Sequence, residues 1–332
     1  MISRIRISFL APLIAGIVLT GCGGKGSAPA AGEAKSLKIA VIPKGMTHEF
    51  WKSIHAGAAQ AAKELGVEIL WKGPQKEDDR AQQITVVEDV ISRGVDGIVL
   101  APLDDRALIR PVQDAVRDKI PVIIIDSGLQ GRDYISFVAT DNYQGGVLAA
   151  RRMGELLRGK GPIFMIRYLE GSASTAERER GFLETVTKDF PGLRLLVKDQ
   201  YTGATTETAY QLGENLLGRF PDVEGVFCPN ESSTFGVLRA LQESGLAGKV
   251  KFVGFDSSPK LIQALRDGHL HGLILQNPVK MGYLGVTRMV QHLRGQTIPD
   301  RVDTGVTLVI KETMDTPENK ALLSPDLSIL DR

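Results

Sequence analysis

The chain has 332 residues, carries a formal net charge of +1, and is 43% hydrophobic and 24% charged, the balance of a folded globular protein and not of a disordered one. A charge this close to zero offers no electrostatic case for nucleic acid or an acidic surface as partner. Two cysteines, Cys22 and Cys228, cannot build a framework of bridges, so stability has to come from buried apolar surface.

The N-terminus is organised as a targeting segment. Arg4 and Arg6 form a short basic region, residues 7–19 are almost unbroken apolar, and small residues then lead through Leu19-Thr20-Gly21 into Cys22. The apolar run is too short for the roughly 20 residues that a membrane-spanning helix needs. The pattern reads as a signal peptide over 1–21 whose cleavage site resembles the lipobox of bacterial lipoproteins, with Cys22 as the acylated first residue of the mature protein. Everything beyond it is then expected outside the cytoplasm, periplasmic or extracytoplasmic and anchored to the membrane through lipid. Residues 22–36 are small, polar and interrupted by Pro29, a flexible tether with a reach of roughly 20 Å.

From residue 37 short apolar runs alternate with amphipathic segments. LKIAVIP (37–43) precedes a helix over 50–65, VEILWKG (67–73) a helix over 80–93, and GIVLAPL (97–103) a helix over 106–118; PVIIIDSG (121–128) and YISFVATDN (134–142) follow. The pattern then restarts. A helix over 143–158 leads to PIFMIRY (162–168), a helix over 176–189 to LRLLVKDQY (193–201), and a helix over 205–219 to GVFCPN (225–230). Helix 232–244, strand VKFVGFD (250–256), helix 259–267, strand HGLILQNP (271–278), helix 280–294 and strand VTLVIKE (306–312) complete it. Strands that are apolar throughout, instead of alternating, belong to parallel sheets covered by helices on both faces. Repeated βα units of this kind form doubly wound sheets.

There are too many strands for one sheet. The sequence predicts an α/β protein of two Rossmann-like doubly wound parallel-sheet lobes in tandem, with crossings after ISFVATDN, after LILQNP and before VTLVIKE. These give a three-segment hinge, with lobe 1 from 37–140 plus 277–304 and lobe 2 from 141–276 plus 305–332. The tail 313–332 is expected to pack along one lobe. Ligands of such sheets sit at the carboxyl ends of the strands, and two lobes joined by several crossings can hinge shut around them.

Polar residues collect at those strand ends. The first strand ends in Lys44 and runs into Gly45-Met46-Thr47-His48-Glu49-Phe50-Trp51; the fourth ends in Asp126-Ser127; in the second half the ends carry Asn230-Glu231, Asp256 and Gln276, and Arg178 opens the helix after PIFMIRYLEGSAS. Carboxylates and amides bridge vicinal hydroxyls, an arginine donates in a fixed fork, and aromatic rings such as Phe50 and Trp51 offer flat faces to the C–H side of a sugar ring. The same residues have structural uses: Asp and Asn at strand ends cap helices, and aromatics fill cores. Cys228, in an apolar strand, is expected as a small buried hydrophobe.

Taken together, VEDVISRGVDGIVLAPLD, IPVIIIDS, ATDNYQGG, STAERERGF, VFCPNESSTFGVLRALQESG and VGFDSSP resemble the periplasmic sugar-binding proteins of ABC transporters, of the ribose-binding pentose/hexose group, over residues 37–312. The resemblance implies a type I periplasmic binding protein fold, a monomeric binder without cofactor, and delivery of a monosaccharide to ABC permease membrane subunits. By position it places Arg178 on the arginine that grips ring and hydroxyl oxygens, and Asn230 and Asp256 on the amide and carboxylate of the second lobe. Gln276 falls on the hinge-side glutamine, Asp126 on the hydroxyl-binding aspartate, and Phe50 and Trp51 on the stacking aromatics. There are departures. His48 replaces an asparagine, Ser127 an arginine, and Ala204 stands near a third aromatic, so a site roomier than that for ribose is expected. Lys44, with WKGP (71–74) and IDS, looks instead like the branch that binds rhamnose or autoinducer-2, whose Asp-Gln pair is here Ser174 and Thr175. Closure is expected only around ligand, because an empty closed cleft would bury unpaired polar groups.

Rival readings fare worse. HEFWKSIH is not a zinc-peptidase motif, His269 and His271 lack a third metal ligand, and there is no GxGxxG after a strand, Walker loop or nucleophile elbow, so no enzyme is expected. A repressor of this architecture would need a DNA-binding module where the signal peptide stands. Presentation of ligand to a membrane kinase or chemoreceptor is the alternative to uptake.

Overall fold

The computed structural model describes residues 36–331. Residues 1–35, over which a signal segment, an acylated Cys22 and most of a tether are expected, lie outside the described residues. Two six-stranded sheets make up the rest. The first contains β1 (Lys38–Ile42), β2 (Glu68–Trp71), β3 (Gly97–Leu100), β4 (Val122–Ile125), β5 (Ser136–Ala139) and β11 (Arg301–Asp303), in the order β11-β5-β4-β3-β1-β2. The second contains β6 (Lys160–Met165), β7 (Gly192–Val197), β8 (Gly225–Phe227), β9 (Lys251–Phe255), β10 (Gly272–Leu275) and β12 (Thr307–Val309), in the order β12-β10-β9-β8-β6-β7. All pairs are parallel except β12, which runs antiparallel to β10. The two parallel-sheet lobes expected from the sequence are present, and the one antiparallel edge arises because β11 and β12 are joined by a short crossing that leaves no room for a helix to bring the chain round.

The apolar runs divide by their period of two. Ile39, Val41, Val99, Ile123 and Ile125 face one cluster, with α1 (Glu49–Leu65) and α9 (Pro278–Leu293) over it. Their neighbours Ala40, Ile42, Ile98, Leu100, Val122 and Ile124 face another, under α2 (Arg80–Ser92) and α3 (Ile109–Arg117). The second sheet is covered in the same way. Ile163, Met165, Phe227, Val253 and Phe255 lie beneath α4 (Asn142–Leu156) and α5 (Ala173–Asp189). Phe164, Val226, Cys228 and Phe252 lie beneath α6 (Thr206–Arg219), α7 (Glu231–Glu243) and α8 (Pro259–Asp267). Cys228 is free and wholly buried.

The chain passes between the sheets after β5, after β10 and between β11 and β12. The first and third crossings are tied together, with Thr140 Oγ1 3.3 Å from Thr304 Oγ1 and donating to the Gly305 carbonyl at 3.0 Å. The tail does not stay on one lobe. Helix α10 (Pro317–Leu323) sets Leu323 into the core of the second sheet, while the last turn, Ser328–Asp331, lies against α1 of the first. Neither β11 nor α10 is foreseen from the sequence: β11 is three residues of half-exposed edge, and α10 buries only Leu323. Helix α3 starts later than its periodicity suggests, because the Asp104 carboxylate accepts from the Arg106 and Ala107 amides and holds them in a turn.

In each lobe two helices meet backbone to backbone at glycine. A Cβ on Gly57 of α1 would lie 1.9 Å from the Val279 carbonyl oxygen, and one on Gly146 of α4 would lie 1.9 Å from that of Arg178. The second contact seats the residue singled out above as a ligand arginine. Gly146→Ala must force α4 and α5 apart, and we expect it to cost about 1–3 kcal/mol, read as a lower midpoint of thermal unfolding; an unchanged midpoint would show that the helices have slack.

Candidate functional site

The carboxyl ends of both sheets face each other across one cleft. Its wall holds Lys44, His48, Phe50, Trp51 and Asp126 from the first lobe and Arg178, Asn230, Asp256 and Gln276 from the second and its hinge. Nine of the ten ligand-binding candidates named from the sequence are therefore brought together. Ser127 is the exception. It is wholly buried, and its Oγ accepts the Ser174 amide at 3.1 Å instead of lining the cavity. Five wall residues were not among those candidates: Glu77, Tyr168, Ser174, Thr175 and Glu231.

Asp126 and Asp256 occupy matching places, each directly after a central strand. Both have positive φ, 62° and 66°, a strained conformation for residues other than glycine that is concentrated at functional sites. Their amides still join the neighbouring strand, Asp126 to the Val138 carbonyl and Asp256 to that of Ile274. The left-handed turn is thus where each strand stops, and its side chain leaves the sheet for the cleft.

The wall is a set of opposed charges. Lys44, 3% exposed, lies 3.2 Å from Asp126 and also donates to Ser172 and Ser174 of the opposite lobe at 3.3 and 3.0 Å. Arg178 donates through Nε to Asn142 and through Nη1 to the Pro229 carbonyl, both at 2.8 Å; it lies 3.9 Å from Asp256 and 4.0 Å above the Phe255 ring. Its burial lowers its pKa against the pull of Asp256, and burial likewise raises that of Asp256. Asp256 accepts from Gln276 Nε2 at 2.8 Å and from the Glu231 amide at 3.1 Å. Gln276 Oε1, the other end of that amide, is buried and has no protein partner.

Asn230 serves its own helix. Its Oδ1 accepts from the Ser233 amide in a capping box at the start of α7, and its Nδ2 donates to Ser232. Phe50 and Trp51 meet edge to face with centroids 5.0 Å apart, and Trp51 Nε1 donates to Glu77 at 2.7 Å. Ala204 is buried and does not line the cavity, whereas Tyr168 is buried in the wall and donates its hydroxyl to Glu77 at 2.8 Å. The remaining cavity is about 30 Å³, room for one or two waters, so a sugar ring enters only as the lobes part or side chains withdraw.

Two helix starts are capped from the opposite lobe. No side chain of its own caps α1; the Glu231 carboxylate reaches across and accepts the Glu49 and Phe50 amides at 3.3 and 3.1 Å. No side chain of its own caps α5 either; Ser127 provides that bond from the first lobe. Together with Lys44–Ser174 and Tyr168–Glu77 they pair the polar groups of the closed cleft directly. Among the described residues of the cleft wall, the buried side-chain atom left without a partner is Gln276 Oε1, so the expectation that an empty closed cleft leaves its polar groups unpaired is met there. Farther away, His269 meets Gln242, and His271 accepts from the Phe252 amide. Among the described residues no group of three His, Cys, Asp or Glu side chains is placed to share a metal.

These contacts set a pH dependence. Burial opposes charge on His48, but Glu77, helped by Glu231 and Asp256, raises it to about 9. Burial pushes Glu231 up to about 7 against the pull of His48. Burial also works against charge on Glu77, yet His48, Lys44 and the Trp51 bond bring it down to about 2. Raised groups contribute stability below their unfolded values and lose it as pH climbs through the folded ones. Glu231 thus loses its contribution between about pH 4.5 and 7 and His48 between about 6.5 and 9, whereas the Glu77 contribution disappears only as pH falls from about 4.5 towards 2. We expect the unfolding free energy to drop from pH 6.5 to 9 by an amount on the order of 3 kcal/mol, and His48→Gln to flatten that slope; an equal slope in the variant would refute the assignment.

Comparison with known proteins agrees with this geometry. The sequence pattern of the family described as "Periplasmic binding protein domain" matches residues 39–297. The chain is similar to a D-ribose/D-allose-binding protein of Pseudomonas aeruginosa, 29% identical over 315 residues that make up 92% of this chain and 98% of that protein. Among solved structures it is similar to a carbohydrate transporter solute binding protein from Agrobacterium radiobacter in complex with D-arabinose, with a TM-score of 0.85 and 34% identity, covering 88% of this chain and 100% of the other. It is also similar to an ABC transporter solute binding protein from Agrobacterium vitis with bound D-fucose, with a TM-score of 0.83 and 34% identity over 86% and 99% of the two chains. The match spans both sheets and the cleft between them, and the chain belongs to the periplasmic binding protein domain family.

Proposed function

We propose that this chain captures a monosaccharide in the interlobe cleft and delivers it, as a monomer, to the membrane subunits of an ABC permease. The lobes are taken as 37–140 with 277–304 and 141–276 with 305–332, the last turn excepted. The observation that carries the reading is the cleft wall itself. Opposed carboxylates, an arginine, a lysine and an unpartnered Gln276 acceptor converge on one small cavity beside two aromatic rings. Hydroxyl groups suit such a wall because each both donates and accepts. Relatives named for ribose and allose, and solved neighbours holding arabinose and fucose, share the chemical class of a neutral pentose or hexose.

In this reading Arg178, Asp256 and Gln276 grip one edge of the ring and Asp126, Lys44 and His48 another, with Asn230 completing the second-lobe wall. Phe50 and Trp51 cover its C–H face. Ser127 acts in closure and not in ligand contact. An extracytoplasmic location follows from the family, and Cys22 is read as the lipidated anchor that keeps the clamp near its permease. Replacing Cys22 by Ser should move the protein from the membrane to the soluble fraction of the producing cell; retention in the membrane fraction would argue against the anchor.

A thermal-shift screen against aldopentoses, aldohexoses and small polyols tests the ligand class. A sugar at a hundred times its Kd should add about 2.7 kcal/mol of stability, and Arg178→Ala should weaken its binding by about 2–4 kcal/mol. A shift produced by an amino acid or a nucleoside and by no sugar would overturn the reading, and undiminished affinity in Arg178→Ala would overturn the site.

A further inference from the structure

Glu77 lies in the loop between β2 and α2, has no counterpart among the residues that suggest a sugar site, and sits at the centre of the wall. Its carboxylate takes three side-chain partners. Oε1 accepts from Trp51 Nε1 at 2.7 Å and pairs with His48 Nδ1 at 2.5 Å, and Oε2 accepts from the Tyr168 hydroxyl at 2.8 Å. The first two partners belong to the first lobe, and the third comes from the second. The chain makes room for it: a Cβ on Gly45 would lie 2.9 Å from Glu77 Cγ.

We propose that Glu77 is the positioning residue of the sugar site, fixing His48 and Trp51 in the first lobe and accepting Tyr168 from the second only when the lobes meet. This rests on the sugar-binding reading of the cleft. With three of its roughly four acceptor sites taken by protein donors, Glu77 acts mainly through the groups around it. Occupying Nδ1 leaves His48 one ring nitrogen, Nε2, and as an imidazolium the ring is a donor only. It therefore addresses an acceptor lone pair on a sugar hydroxyl or ring oxygen. Trp51 is held in plane by its N–H bond, which sets the angle of the apolar face beside Phe50. Tyr168 reports closure, since its hydroxyl reaches Glu77 only across the cleft. The charged groups facing His48 are Glu77 from its own lobe and Glu231 and Asp256 from the other, with Lys44 acting on Glu77.

The test separates positioning from ligand binding. Ring titration of His48 is followed by NMR on the full chain labelled in histidine, and Trp51 emission is followed in a Trp71→Phe background. Both need no sugar. Glu77→Gln should bring the His48 midpoint down from about 9 by at least one pH unit, shift Trp51 emission to longer wavelength, and weaken binding of the sugar found by the thermal-shift screen at least thirtyfold. Tyr168→Phe should leave the His48 midpoint and Trp51 emission in place and raise the radius of gyration of the sugar-free protein in small-angle scattering. An unmoved His48 midpoint and unchanged Trp51 emission in Glu77→Gln would overturn the proposal, as would an unaltered radius of gyration in Tyr168→Phe. Should Glu77→Gln fail to fold, the Tyr168→Phe arm decides alone. If no sugar binds the unaltered protein, the sugar reading fails, while the titration, emission and scattering still decide the role of Glu77.

Discussion

Two helices of this protein begin without a cap of their own and receive one from the opposite lobe. Glu231 accepts the first amides of α1 and Ser127 accepts the Ser174 amide of α5. An uncapped helix start leaves donors unsatisfied, and a capping side chain is worth about 1 kcal/mol. The exchange is reciprocal, so neither lobe is complete alone and closure gains from both caps at once. A carboxylate at a helix start also meets the positive end of its dipole, although the burial of Glu231 offsets much of that gain. The cleft is thereby closed by backbone groups at its two sides, leaving side chains free to form the wall between them.

That arrangement alters what a ligand has to do. Where polar groups of an empty closed cleft lack partners, ligand supplies the reason to close. Here Lys44 already reaches Ser172 and Ser174, and Tyr168 already reaches Glu77. A ligand can shift a population only through the difference in its affinity for the two states, so it must replace these bonds and add to them. The strained turns at Asp126 and Asp256 serve this end. By holding one carboxylate of each lobe off its sheet in the same geometry, they preorganise opposite sides of the site before ligand arrives, which lowers the ordering cost of binding.

Much of the fold is legible in the sequence, because strands buried on both faces read as continuous apolar runs and amphipathic helices as periodic ones. What escapes is short or exposed: β11 and α10 bury too little to leave a pattern, and the antiparallel β12 depends on the length of a crossing. In the site, strand-end polar residues such as Asp126, Asp256 and Gln276 stand out against the apolar runs they terminate. Glu77 does not, since QKEDD (75–79) looks like a solvated charged loop and only the fold turns one of its carboxylates inward. Gly45 was the available signal, a glycine beside the first strand end whose missing side chain makes room for that carboxylate. Ser127 escapes for another reason. Its place after Asp126 suggests the cavity, but the left-handed turn at Asp126 sends successive side chains in different directions.

Charge balance narrows the ligand class further than shape does. Lys44 stands against Asp126, His48 against Glu77 and Arg178 against Asp256, and all of these groups but the partly exposed His48 are buried. Glu231 is the surplus carboxylate, and burial holds it at about 7, where it can give up its charge at small cost. A wall that is already compensated has no cation to spare for a sugar acid or a sugar phosphate, whose charge would be buried without a partner at a cost of several kcal/mol. A neutral polyol brings no such deficit. Its hydroxyls can insert into the existing pairs, donating to a carboxylate and accepting from the cation opposite, so the compensation survives while the number of hydrogen bonds rises. The preference for a neutral ring thus follows from how the ion pairs face one another across the cleft, before any single contact is assigned.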